Sequence, residues 1–241
     1  MDQGKITLKR TSKSFVAGFC ILKAELPDLI EQYALLHNDE LEYYKSLAFD
    51  RRRTSYLLGR IAAKKAIGEL IGEEHTHSVF IDIGIFQFPV VKMTADLNIQ
   101  VSISHCDDIG VALAFPEEHP LGIDIEKIDS GRLDAMKSMI SDDELTLLSG
   151  CDLSLLTGCT IIWSVKESLS KILRTGFTID SKLMEIQSIE KSGMQYNCTF
   201  RYFSQYKAVS GQSGNYVYSM VLPKNTTAGL VDFLRAFKQI D

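Results

Sequence analysis

The sequence predicts a soluble α+β protein, and three features of its 241 residues carry that expectation. Helix-like stretches precede strand-like stretches twice along the chain. Apolar residues make up 45% and charged residues 24%, close to globular averages, so a packed core is expected and disorder is not. Set against roughly 150 residues per domain, the length fits one large domain or two small halves.

Composition also excludes functions. Lys plus Arg 26 against Asp plus Glu 31 leaves a net charge of -5, which argues against a surface built for nucleic acid; any polyanion site is local. The five cysteines, Cys20, Cys106, Cys151, Cys159 and Cys198, are odd in number and contain no Cys-x-x-Cys pair. That pattern predicts neither a disulfide framework nor a zinc knuckle and points to a cytoplasmic location. The early apolar stretch 15–22 is far shorter than the roughly 18 residues of a membrane span, and it runs into Lys23 and Glu25 without a cleavage site. Neither export nor a membrane anchor is expected.

In chain order, residues 14–25 read as a strand and, after Pro27, 28–45 as a helix. A second helix spans about 51–71, where Gly72 and two glutamates interrupt it. The period then changes to two: Val101 and Ile103 alternate with Ser102 and Ser104, and after the turn at 106–108 the stretch 110–115 returns as the partner of a hairpin. Residues 121–126 form a third strand, with Ile123 and Ile125 facing one way and Asp124 and Glu126 the other. Helices follow at about 141–149 and 160–174, strands near 195–203 and 215–222, and a last helix near 227–238. No Pro/Gly/Ser-rich linker marks a border. The recurrence of helices before strands sets two similar halves meeting near residue 120, 1–119 and 120–241, without a residue-level repeat to confirm it.

Four constellations bear on chemistry. At 100 degrees per residue, Arg52, Arg53, Tyr56, Arg60 and Lys64 share one arc of the second helix, and Leu58, Ile61, Ala62 and Ala66 the other. Guanidinium forks one or two turns apart suit a phosphomonoester, and a solvated helix face is the alternative. Asp124 and Glu126 project to the same side of a strand, where two carboxylates repel unless a proton or cation separates them. A magnesium ion needs only one or two carboxylates when substrate phosphates complete its shell; decoration of a half-exposed strand is the alternative. On helix 160–174, Trp163, Glu167, Ser170, Lys171 and Arg174 oppose an apolar arc, so either Glu167 and Lys171 are a surface ion pair, or Trp163 packs against the neighbouring half and leaves Glu167 in a cleft. Ser104-His105 closes the strand 101–105 as a hydrogen-bonding pair or a pyrophosphate donor.

Together, Gly59-Arg60, Ser-Ile-Ser-His at 102–105, Gly-Ile-Asp-Ile-Glu at 122–126 and Trp-Ser-Val-Lys-Glu-Ser-Leu-Ser-Lys at 163–171 resemble the 4'-phosphopantetheinyl transferases of the surfactin-synthetase-activating type. The resemblance runs from about residue 45 to 175. It implies a fold of two pseudo-symmetric halves, each with helices packed on a small antiparallel sheet, in a monomer with the site between the halves. It implies transfer of the phosphopantetheine arm of coenzyme A to a serine of an apo acyl or peptidyl carrier protein, as in holo-acyl-carrier-protein synthases. By the same resemblance Asp124, Glu126 and Glu167 bind Mg2+, and Glu167 is also the base. Lys171 neutralises pyrophosphate charge, and Arg52, Arg53, Arg60, Ser104, His105 and Lys166 contact coenzyme A. Where the family often carries Gly-basic-Pro, this chain has Gln87-Phe88-Pro89, and Lys92 is the candidate replacement. The competing functions are another magnesium-dependent phosphodiester-cleaving enzyme and a non-catalytic coenzyme A or carrier-protein binding module.

Overall fold

The computed structural model describes residues 1–72, 76, 78–86, 88–93 and 97–240. The chain forms two compact units, Met1–Pro120 with Thr226–Ile240, and Leu121–Asn225.

In the first unit, β1 (Asp2–Lys9) pairs antiparallel with β2 (Ser14–Lys23). Three short helical pieces follow where the sequence predicts one helix: α1 (Leu26–Ile30), a 3-10 turn at Tyr33–Leu35 and α2 (Asn38–Ser46). The break lets Leu29, Leu36 and Tyr44 all reach one core. It ends in a new helix start, where the His37 N–H donates to the Glu40 side chain at 2.8 Å. The 22-residue α3 (Asp50–Ile71) crosses the sheet and buries Leu57, Leu58, Ile61, Ala62, Ala66 and Ile67. β3 (Phe80–Ile83) and β4 (Pro89–Lys92) make a small hairpin. β5 (Ile99–Cys106) and β6 (Ile109–Pro116) form the expected second hairpin, with Asp107 in the left-handed region at φ 52 in its turn.

The second unit opens with β7 (Gly122–Lys127), which pairs not with β6 but with β11 of its own sheet. Helices α4 (Leu133–Lys137), α5 (Asp142–Ser149) and α6 (Leu155–Leu173) follow. Ser154 caps α6 by accepting from the Thr157 N–H at 3.1 Å, so the helix starts one turn before the expected position. Gly158 admits Leu148: a Cβ there would lie 2.7 Å from that side chain. β8 (Ile186–Ser192), β9 (Gln195–Phe200), β10 (Tyr206–Ser213) and β11 (Tyr216–Pro223) complete a sheet ordered β7-β11-β10-β9-β8. Tyr196, Cys198 and Phe200 alternate inward from β9 against Val165 and Leu169 of α6. Turns at Gly193 and Gly214 use positive φ, 62 and 47.

The chain then returns to the first unit. β12 (Thr227–Ala228) pairs with Leu8 and Lys9 of β1, and α7 (Val231–Phe237) sets Phe233 edge-on to Phe19 at 5.5 Å. The expectation that places 226–240 with the second half is corrected here, because β1 offers an edge to pair and β2 a ring to cover. The first sheet is ordered β12-β1-β2-β6-β5.

Each unit contains the same series of strand, two helices and four strands: β2-α2-α3-β3-β4-β5-β6 and β7-α5-α6-β8-β9-β10-β11. The likeness extends to side chains. Glu40, the capping glutamate of α2, meets Lys64 of α3 at 3.0 Å and accepts from the Ile81 N–H at 2.9 Å. Glu144, the capping glutamate of α5, meets Lys166 of α6 at 2.7 Å and accepts from the Ile186 N–H at 2.9 Å. A Cβ on Gly18 would sit 2.0 Å from the Ala66 carbonyl, and one on Gly122 would sit 2.0 Å from the Ser168 carbonyl. The repeat absent from the primary sequence is therefore present as a repeated set of contacts.

Among the described residues no helix is long and apolar enough to cross a membrane.

Backbone carbonyls cannot yield as side chains do, so Gly18→Ala and Gly122→Ala should each destabilise by about 1–3 kcal/mol or more. Gly150→Ala, whose Cβ would meet its nearest neighbour at an ordinary 3.6 Å, should stay within about 0.5 kcal/mol of the parent. Urea unfolding midpoints compare the three.

Candidate active site

The acids come together within the second unit through the packing of α6 on β7. Because Gly122 lies against the Ser168 carbonyl, the polar stripe of α6 runs antiparallel along β7. Lys171 then meets Asp124, and Trp163 meets Glu126. Lys171 Nζ donates to Asp124 Oδ1 at 2.9 Å and to the Ile123 carbonyl at 2.8 Å. Trp163 Nε1 donates to Glu126 Oε1 at 2.8 Å, and Arg132, from the turn Ser130–Arg132, binds both oxygens of the same carboxylate. The Arg132 guanidinium also stands 5.7 Å from the centre of the Trp163 ring.

Asp124 is only 3% exposed, so β7 is not the half-solvated strand of the decorative reading. Glu167, one turn from both Trp163 and Lys171, sits between these groups. Burial, and then the Asp124 charge, push its carboxyl up to about 7; Lys171 opposes that rise, and Glu126 adds to it. Burial and Asp124 raise Glu126 as well, against the pull of Arg132 and Trp163. Three carboxylates thus face two cations.

Three hard oxygen donors with residual negative charge suit a magnesium-sized ion in chemistry and in charge. In the arrangement present, Arg132 and Lys171 are the counter-charges on Glu126 and Asp124. Among the described residues no three ligating side chains are gathered tightly enough to hold an ion as they stand.

A second cluster lies in the first unit. A cavity of about 270 Å3 is lined by Arg52, Arg60, His105, Ser55, Tyr43 and Tyr56, with Ile83, Pro89 and Ile103 as apolar wall. Gly59 brings α3 against β5, since a Cβ there would lie 3.0 Å from Ile103. Arg60 is 8% exposed, so the solvated-face alternative fails for it. Its guanidinium lies 5.0 Å over the Tyr56 ring, and burial pushes the Tyr56 phenol up to about 12.

The structure brings Asp124, Glu126, Glu167 and Lys171 into one network, and Arg52, Arg60 and His105 onto one cavity. It does not do so for four other expected residues. Lys166 is 1% exposed, and its ammonium is spent on Glu144 and the carbonyls of Met139 and Ser181, because the α6 face that carries it turns inward. Arg53 donates to the Leu47 carbonyl at 2.8 Å and lies near Asp50 and Tyr44, tying down the start of α3 outside the cavity lining. Ser104 is buried on the opposite face of β5 from His105, as strand alternation requires. Lys92 is bonded to Asp82 at 2.6 Å and does not line the cavity; Gln87 lies outside the described residues. Sequence reasoning placed Tyr56 on the arc of Arg60 but missed Arg132, Tyr43 and Glu40. Only Glu40 carried a signal, its place three residues into a helix start.

Residues 120–221 match the family model of the 4'-phosphopantetheinyl transferase superfamily. That segment holds all three acids, Asp124, Glu126 and Glu167. Enterobactin synthase component D of Escherichia coli O157:H7 is 32% identical over 135 residues, 54% of this chain and 60% of the relative. The protein of the same name from Escherichia coli strain K12 is 33% identical over the same length. The chain thus spans about 60% of the curated relatives it matches. Among solved structures, a Bacillus anthracis holo-(acyl-carrier-protein) synthase in complex with CoA (3',5'-ADP) aligns with a TM-score of 0.37 at 20% identity, covering 46% of this chain and 96% of that one. The Thermotoga maritima holo-[acyl-carrier-protein] synthase aligns at 0.35 and 26%, covering 49% and 72%.

A carboxyl held near 7 binds a proton in the fold that it would lose above its ordinary 4.5 in the unfolded chain. Stability therefore falls as pH rises toward and through 7. Glu167→Gln should raise the melting temperature by a few degrees at pH 8 and leave it unchanged near pH 4, as calorimetry at the two pH values can show.

Proposed function

We propose that the protein is a 4'-phosphopantetheinyl transferase of the surfactin-synthetase-activating type, which moves the phosphopantetheine arm of coenzyme A onto a serine of an apo acyl or peptidyl carrier protein. The observation that carries this reading is Glu167 pushed up to about 7 beside Asp124 and Glu126, within the segment that matches the superfamily. A base whose proton affinity lies near the working pH is suited to accept a hydroxyl proton during transfer.

The serine oxygen attacks the phosphorus that bears the pantetheine arm, and the bond to the bridging diphosphate oxygen breaks. The hydroxyl proton passes to Glu167, and adenosine 3',5'-bisphosphate leaves. Lys171, already beside Asp124, offsets negative charge on the diphosphate. A magnesium ion held by Asp124, Glu126 and Glu167 supplies further charge neutralisation for the diphosphate when bound. Arg52, Arg60 and His105 present two guanidinium groups and an imidazole to the cavity, a donor set that suits the 3'-phosphate of coenzyme A. Phosphoryl transfer needs positioning and charge neutralisation rather than a covalent protein nucleophile, and no such nucleophile is required here.

Incubation with coenzyme A, magnesium and an apo-carrier should give a carrier heavier by one phosphopantetheinyl group, with one equivalent of adenosine 3',5'-bisphosphate. Hydrolysis of coenzyme A without carrier modification would instead favour a phosphodiester-cleaving enzyme, and binding without turnover a binding module. Glu167→Gln and Asp124→Ala should each lower turnover about 100-fold or more. In the parent, the rise of kcat/KM with pH should move to lower pH as magnesium is increased, because a cation beside Glu167 favours its charged form.

A further inference from the structure

The cavity of the first unit has a buried charge behind it that the transfer chemistry does not use. Glu40 and Lys64 are both 0% exposed, and Arg60 Nε lies 3.9 Å from Glu40 Oε1. That Nε is buried without a hydrogen-bond partner among the described residues, so Arg60 is held from behind by charge rather than by a bond. Glu40 is itself immobilised, because it accepts from the His37 and Ile81 N–H groups and from Lys64.

The second unit provides an internal comparison. Glu144 and Lys166 make the same pair, also 0% and 1% exposed, yet the residue four before Lys166 is the fully buried Ile162, where the residue four before Lys64 is Arg60. The Glu/Lys pair therefore folds without an arginine beside it. Burying a third charge next to that pair costs desolvation, and the packing of the repeat does not require it.

We propose that Glu40, with Lys64 as its counter-charge, is a positioning residue that aims Arg60 into the cavity and so sets selectivity for a ligand carrying a phosphomonoester. The inference rests on the reading of this cavity as the site of the coenzyme A 3'-phosphate. Without the Glu40 charge, Lys64 and Arg60 are two buried like charges, and the guanidinium is driven outward from its seat over Tyr56.

The test measures dissociation constants for coenzyme A and for 3'-dephospho-coenzyme A by calorimetry. The parent should prefer coenzyme A by about 10- to 100-fold, the scale of hydrogen bonds between charged groups. Glu40→Gln should reduce that preference to within about threefold of none and change affinity for the dephospho form little. Glu144→Gln should lower the melting temperature but leave the preference intact. A parent without preference overturns the cavity's assignment. A preference retained in Glu40→Gln, or lost equally in Glu144→Gln, overturns the positioning role alone. Should Glu40→Gln fail to fold, Arg60→Lys decides the matter: it keeps the charge but has no guanidinium fork for Glu40 to orient, so the preference should collapse, and an undiminished preference overturns the proposal.

Discussion

The placement of the acids depends on one backbone contact, that of Gly122 in β7 with the Ser168 carbonyl of α6. Any side chain at residue 122 would lift the helix from the strand. With none there, α6 lies close enough for Lys171 to reach both the Ile123 carbonyl and Asp124 while Trp163 reaches Glu126. Glu167, between Trp163 and Lys171 on the same stripe, is thereby carried into the field of both carboxylates. Its raised proton affinity follows from that register: burial removes water from the carboxyl, and Asp124 makes a further negative charge unwelcome.

The repeated unit shows how one scaffold serves two ends. In both units a capping glutamate reaches from a short helix to a buried lysine on a long helix and to a strand N–H, which closes three elements around one charge pair. Removing one partner of such a pair leaves the other charge buried and costs about 3–5 kcal/mol, so the pair is a strong constraint on where each long helix lies. In the second unit the stripe beside it carries Glu167 and Lys171. In the first, Arg52 and Arg60 on α3 line a cavity instead.

Much of this was legible in the sequence where local pattern and chemistry coincide. The spacing of Asp124 and Glu126 placed them on one face of a strand, and Glu167 and Lys171 on one face of a helix; the structure joins the two faces. Lys166 was assigned to coenzyme A through the family resemblance, and only packing against α5 and Met139 shows that its face of α6 points inward. Arg132 was missed because its link to Glu126 and Trp163 is made across a turn, with no periodicity to announce it. The break in the expected helix 28–45 escaped notice because a histidine, rather than the usual serine or aspartate, stands at the new helix start. The strand β10 was hidden by Ser210 and Gly211; the glycine leaves room for the Tyr218 ring.

What joins fold to chemistry is an imbalance of charge: Asp124, Glu126 and Glu167 stand together, partly buried, with Lys171 and Arg132 as the cations bonded to them among the described residues. The most direct measurement is a carbon-13 NMR titration of the Glu167 side-chain carboxyl in the protein without divalent ions. The account predicts a midpoint near 7 that moves down toward the ordinary 4.5 in Asp124→Asn. A parent midpoint already near 4.5, unmoved by that substitution, would contradict it.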